Sequence, residues 1–184
     1  IMLVSKSLLR HPMARSTLAD MAAGTKFEWV LPEQDPLVKP ENVTNVIFCS
    51  GQVYYALVKA RQANQRFDTA ICRLEQISPF PHAQLAALCD HYPHARHLTW
   101  CQEEPLNLGA WQYVEPRMAT CLLAQSKAHH GKRLRYAGRE PTAAVATGYK
   151  VKHAEEEERL IGRALFVEEV KVGRREQGVP IYES

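Results

Sequence analysis

No apolar run in the 184 residues approaches the roughly 20 that a membrane-spanning helix needs, so membrane insertion is not expected. Cys-x-x-Cys, His-Glu-x-x-His, Gly-x-Ser-x-Gly, Gly-x-Gly-x-x-Gly and Walker-type glycine loops are all missing. Zinc sites, dithiol redox chemistry, hydrolase nucleophiles and nucleotide cradles therefore lose their usual spacing. The formal charge is only +3, and it is dispersed, which argues against a nucleic-acid partner. Cysteine is present, as Cys49, Cys72, Cys89, Cys101 and Cys121. An odd number of widely spaced cysteines, mostly set in apolar runs, reads as buried thiols in a reducing compartment. Ile1-Met2-Leu3-Val4 lacks the basic start and cleavage site of a signal peptide; it is expected to be a strand of something longer.

What is present fits one α/β domain with a flanking segment, since a chain of this size can bury a real core. A weakly amphipathic stretch through Leu18 and Met21 ends at Gly24-Thr25, and residues 27–31 suit a short extended piece. Pro32, Pro36 and Pro40 then exclude both a continued helix and a central strand, so 32–42 reads as a linker. Beyond it, apolar runs alternate with helical periods. Strands are predicted over 46–49, 69–74, 97–101 and 132–136, and helices follow each of the first three. Gly138 is read as closing the fourth strand, and residues 141–148 as a loop. A final helix opens near Glu155, with acids first and bases later along it, which complements the helix dipole.

Strands joined by helical crossovers imply a largely parallel sheet covered on both faces. The expected organisation is 1–42 as the end of a preceding domain with its linker, 43–168 as a three-layer α/β domain, and 169–184 as a disordered tail that lacks periodicity.

Chemistry, if any, belongs where strands end. Ser50-Gly51 meets a helix amino terminus, a place where backbone amides hold anions, yet one glycine makes an ordinary turn. Glu103 and Glu104 follow a buried strand, but neighbours on an extended chain point to opposite faces and do not converge on one atom. A helix-capping role near Asn107, or pairing with arginine, suits them better. Arg73 and Glu75 flank Leu74 as a candidate ion pair or partner contact. His129-His130 beside Gly131 reads as a loop and lacks metal-ligand spacing.

Five blocks in order carry a resemblance. They are Lys6-Ser7-Leu8-Leu9-Arg10-His11-Pro12, Phe48-Cys49-Ser50-Gly51-Gln52-Val53-Tyr54-Tyr55, residues 73–81, residues 100–111 opening Trp100-Cys101-Gln102-Glu103-Glu104-Pro105, and Tyr136-Ala137-Gly138-Arg139 with Ala146-Thr147-Gly148. Together they closely resemble the carboxy-terminal domain of the first component of 2-oxoglutarate dehydrogenase, over about residues 2–166. That resemblance implies a transketolase-like α/β domain whose parallel sheet carries an antiparallel edge. It also implies membership of a homodimeric thiamine-diphosphate and magnesium enzyme that decarboxylates 2-oxoglutarate and passes a succinyl group to the lipoyl arm of a dihydrolipoyl acyltransferase.

Both cofactors are expected in preceding domains of the same polypeptide, so no catalytic, cofactor-binding or metal-binding residue is expected here. Arg73, Glu75, Gln102, Glu103, Glu104 and Asn107 are expected to serve structure or an interface. The resemblance places a eukaryotic member in the mitochondrial matrix and a bacterial one in the cytoplasm. Alternatives are the related 2-oxoadipate enzyme and a stand-alone interaction module. Ser5 stands where the family usually has proline, residues 126–132 are long and basic for their position, and residues after about 168 run past the family's usual end.

Overall fold

Alternation within the apolar runs decides which helix covers which face. In a strand successive side chains point to opposite sides, and the buried residues divide accordingly. Val46, Phe48, Ala70, Cys72, Leu74, Leu98 and Trp100 belong to one core. Ile47, Cys49, Ile71, Cys101 and Ala137 belong to the other. The computed structural model describes residues 5–166, 171–174 and 180–183. Its main sheet holds β1 (Val30–Leu31), β2 (Asn45–Cys49), β3 (Thr69–Leu74), β4 (His97–Pro105) and β5 (Arg135–Arg139) in the order β1-β3-β2-β4-β5. All neighbours are parallel except β1, which runs antiparallel to β3. The mixed sheet with an antiparallel edge is the one that the family resemblance implies.

Helix α1 (Val53–Ala63) joins β2 to β3 and packs with α4 (Lys150–Leu165) against the second core. Helices α2 (His82–His91) and α3 (Trp111–Ala124) cover the first. The chain moves from β2 to β3 in one direction and then from β3 past β2 to β4 in the other. Right-handed crossovers must change face when the direction reverses. The result is three layers, with a switch of direction between the carboxyl ends of β2 and β4.

Several boundaries differ from the predicted ones. β4 continues through Glu103 and Glu104 to Pro105, because the polar residues are held by a buried glutamine and not released into a loop. β5 starts three residues later than predicted and contains Gly138, which sits against the Tyr136 hydroxyl where a Cβ would lie 2.3 Å away. Pro116 lies inside α3 without ending it, and α4 begins at Lys150, ahead of its acidic run.

The proline-rich 32–42 stretch is bonded to the domain that follows it. Arg61 of α1 is buried and pairs with Glu33 and with Asp35 at 3.1 Å. Glu33 also accepts the Ile71 N–H of β3 at 2.6 Å, and Val38 and Val43 are core residues. The strand expected over 1–4 lies outside the described residues. Of the tail, β6 (Lys171–Arg174) and β7 (Pro180–Glu183) form an antiparallel pair; the rest lies outside the described residues.

Candidate functional site

The switch between β2 and β4 puts Gln52 and Glu103 side by side. Gly51, at φ +76°, makes the turn that delivers Gln52 to the start of α1. Gln52 Nε2 donates to Glu103 Oε1 at 3.1 Å, and Gln52 Oε1 accepts from the hydroxyls of Ser5 (2.7 Å) and Ser7 (2.8 Å). His11 stacks on Tyr55 with centroids 4.4 Å apart, so residues 5–11 lie along this end of the sheet. Between Gln52, Glu103, Glu104, Thr147 and His153 a cleft of about 180 Å³ remains. Burial pushes the Glu103 carboxyl above its ordinary range; Glu104 and Glu157 add to this, while the Gln52 hydrogen bond and His153 oppose it.

Gln102 organises the next loop. It is 3% exposed, and its Oε1 accepts from the Trp100 indole N–H and from the Trp111 backbone N–H, both at 2.9 Å. Its Nε2 reaches the carbonyls of Glu104 (3.2 Å), Pro105 (3.1 Å) and Leu108 (2.8 Å). The Trp111 N–H is one of the unpaired donors at the start of α3, so the capping expected of the glutamates is done by Gln102. Gly109, at φ +67°, passes so close that a Cβ would lie 2.9 Å from Gln102 Nε2 and from Glu104 Cβ.

Arg139, at the end of β5, ties β4 to α4. Its Nε donates to the Glu103 carbonyl at 2.7 Å, Nη1 to Thr147 Oγ1 at 3.0 Å and Glu156 Oε2 at 3.4 Å, and Nη2 to the Val145 carbonyl at 2.9 Å. Thr147 Oγ1 also donates to Glu156 at 2.5 Å. The Thr147 hydrogen bond, helped by Arg139, holds the Glu156 carboxyl below its ordinary range. Asn107 makes two bonds with the backbone of Thr142, at 2.9 and 3.1 Å, and so fastens the 105–110 loop to the 140–148 loop.

Arg73 and Glu75 pair at 3.5 Å on the other side of β2, where the Arg73 guanidinium lies 4.5 Å from the Tyr54 ring centroid. The predicted residues therefore separate into two groups at one edge of the sheet. Gln102, Glu103, Glu104 and Asn107 share the β4 end, and Arg73 with Glu75 form the β3 end. The side chains of Glu103 and Glu104 diverge as the strand geometry requires: Glu103 meets Gln52, and Glu104 is exposed. Gln52, Arg139, Thr147, His153 and Glu156 escaped the residue reading, although the first three stand inside the blocks that carry the resemblance.

The five cysteines are free and buried, and burial raises their thiols, Cys72 to about 12 and Cys121 to about 11. His129 is buried too. Its Nδ1 lies 3.0 Å from Lys132 Nζ, which only donates, so Nε2–H donates to the Tyr92 carbonyl at 2.9 Å. That histidine secures the 126–132 loop. Among the described residues no group of three His, Cys, Asp or Glu is placed to hold a metal ion. The cleft at the β2–β4 switch is lined by Glu103 and Glu104 and by Arg139, whose guanidinium is already engaged by the Glu103 and Val145 carbonyls, Thr147 and Glu156, which leaves no unengaged arginine for a diphosphate.

Sheet order, face change and strand-end cleft define a doubly wound α/β domain. A family model described as "2-oxoglutarate dehydrogenase C-terminal" matches residues 15–165, and the chain belongs to that family. It is 45% identical over 171 residues to the mitochondrial 2-oxoglutarate dehydrogenase of Schizosaccharomyces pombe, covering 90% of this chain and 16% of that protein. To the 2-oxoglutarate dehydrogenase E1 component of Azotobacter vinelandii it is 46% identical over 167 residues, 91% of this chain and 17% of the relative. The mitochondrial enzyme of Saccharomyces cerevisiae is 41% identical over 160 residues, 85% of this chain and 16% of the relative. The chain thus spans about a sixth of the length of these relatives.

Proposed function

We propose that this chain serves as the terminal, non-catalytic domain of the decarboxylating component of 2-oxoglutarate dehydrogenase. In this reading it takes part in the oxidative decarboxylation of 2-oxoglutarate and succinyl transfer to a lipoyl group on the acyltransferase component. The observation that carries it is the match to the family's carboxy-terminal model over residues 15–165. Thiamine diphosphate and magnesium would be held by other parts of the full enzyme. The one arginine of the strand-end cleft is already engaged within the domain, so no step of the chemistry is assigned to residues of this domain.

In this reading the domain supplies a contact surface. Leu9, Met13, Leu18, Met21 and Phe27 are exposed in the segment ahead of the sheet. We assign this surface to contacts with the preceding domains of the enzyme and with a second subunit of a homodimer. The mitochondrial matrix suits a eukaryotic member and the cytoplasm a bacterial one.

Domain exchange tests the reading. The Azotobacter relative should lose 2-oxoglutarate decarboxylation when truncated before this domain, and regain it when this chain is fused in place. Truncation without loss, or a soluble fusion without activity, would count against it. Comparing 2-oxoglutarate with 2-oxoadipate in the same fusion separates the two related enzymes.

A further inference from the structure

A groove of about 460 Å³ runs between α4 and the loop that follows β5, within the usual size of small-ligand pockets, roughly 300 to 1,000 Å³. One wall is helical. Lys152, Glu156, Arg159 and Arg163 are spaced by four, three and four residues, which places them on one stripe of α4. Leu160, Ile161, Ala164 and Leu165 take the buried side of the same helix. The other wall is the 140–148 loop, where Ala144, Ala146 and Gly148 leave the space unfilled. Hydrogen bonds from Arg139 to the Val145 carbonyl and from Asn107 to Thr142 fix that wall in place.

Charge pairing inside the groove is incomplete. Glu156 is matched by Arg139, and Glu140 by Arg163 at 2.6 Å. Lys152 and Arg159 are exposed, and among the described residues neither has a hydrogen-bond or ion-pair partner. Glu156 also feels the Lys152 charge, but four cations against two carboxylates leave the lining with an excess of two positive charges facing a preformed space. Lys152 and Arg159 sit seven residues apart, about 10 Å along the helix, so two long, flexible side chains can close on one ligand from opposite ends.

We propose that this groove binds a compact dianion, a phosphate monoester or a dicarboxylate, held between Lys152 and Arg159. Arg159 supplies a planar fork for a bidentate contact, and Lys152 a mobile point charge. The groove adjoins the β2–β4 cleft, with which it shares Arg139, Ala146 and Thr147 in its walls, but Lys152 and Arg159 line the groove alone. The proposal does not depend on the 2-oxoglutarate dehydrogenase reading, since binding is measured on this chain without turnover.

Calorimetric titration of the whole chain at low ionic strength, with inorganic phosphate and with succinate in separate runs, tests it. Saturable one-site binding is expected for at least one of them. Phosphate alone would identify a phosphate-ester site, and succinate alone a dicarboxylate site. Replacing both cations (K152Q with R159Q) should weaken binding at least about tenfold. Lys150→Gln, which removes an exposed charge on the same helix outside the groove, should leave it within about twofold. Absence of saturation with both anions would overturn the proposal. So would binding that survives the double replacement, or that falls equally in Lys150→Gln.

Discussion

Gln102 carries more of the architecture than any other polar residue at the strand ends, because one amide answers five groups on both sides of a turn. Gln102→Leu keeps the volume and strands the Trp100 and Trp111 donors, so stability should fall by about 3 kcal/mol, read from the urea midpoint. Gly109→Ala, strained by φ and by contact, should cost about 1 to 3 kcal/mol in the same assay. Both costs should fail to add in the double variant, since the two residues touch.

Two carboxylates give opposite pH signatures. Glu103 is raised by burial, so its contribution is full below the unfolded value and is lost as pH rises through the folded one. Glu156 is lowered by Thr147 and Arg139, so its contribution is present above the unfolded value and is lost as pH falls through the folded one. Between about pH 3 and 7, Glu103→Gln should therefore gain stability relative to the parent as pH rises above the ordinary glutamate value of 4.5, and Glu156→Gln should lose it as pH rises toward 4.5 from below. Thermal melts across that range read both slopes. Matching slopes would contradict the assigned environments.

At the scale of elements, the edge of the sheet depends on a contact that prolines conceal. β1 pairs with only two residues of β3, and beyond it the Glu33 carboxylate takes over as acceptor for the Ile71 N–H. Arg61 neutralises that carboxylate and Asp35 from beneath. Arg61→Ala leaves two carboxylates with no cation, and a loss of about 3 to 5 kcal/mol is expected from denaturant titration. Glu33→Gln in the same background should recover part of it.

The strands were legible because Val46-Ile47-Phe48-Cys49 and its counterparts are apolar on both faces. The apolar pattern alone ends β4 at Cys101, because Gln102, Glu103 and Glu104 break it, whereas the strand runs on to Pro105. Nothing in a single sequence says that a glutamine is buried and fully bonded. Gly138 misled in the same way: it marks a close approach of Tyr136 inside a strand, not its end. Of the site, Arg73 with Glu75 was legible as a local pair. The contacts of Arg139 with Thr147 and Glu156 join residues 8 and 17 positions apart, which local spacing does not reveal.

For the molecule as a whole, family membership and fold agree, and both follow from ordered blocks that lie at the carboxyl edge of one sheet. Those blocks spend their polar groups on one another. Gln52 holds Glu103, Gln102 holds the loop after β4, and Arg139 holds α4, which is consistent with the proposed non-catalytic role. The most direct test is release of carbon dioxide from 2-oxoglutarate, with thiamine diphosphate and magnesium supplied, by this chain alone and by the same chain fused behind the remaining domains of a relative. Turnover only in the fusion is the expected result. Turnover by the chain alone would contradict the account, and Glu103, Glu104 and His11 would then be the residues to replace first.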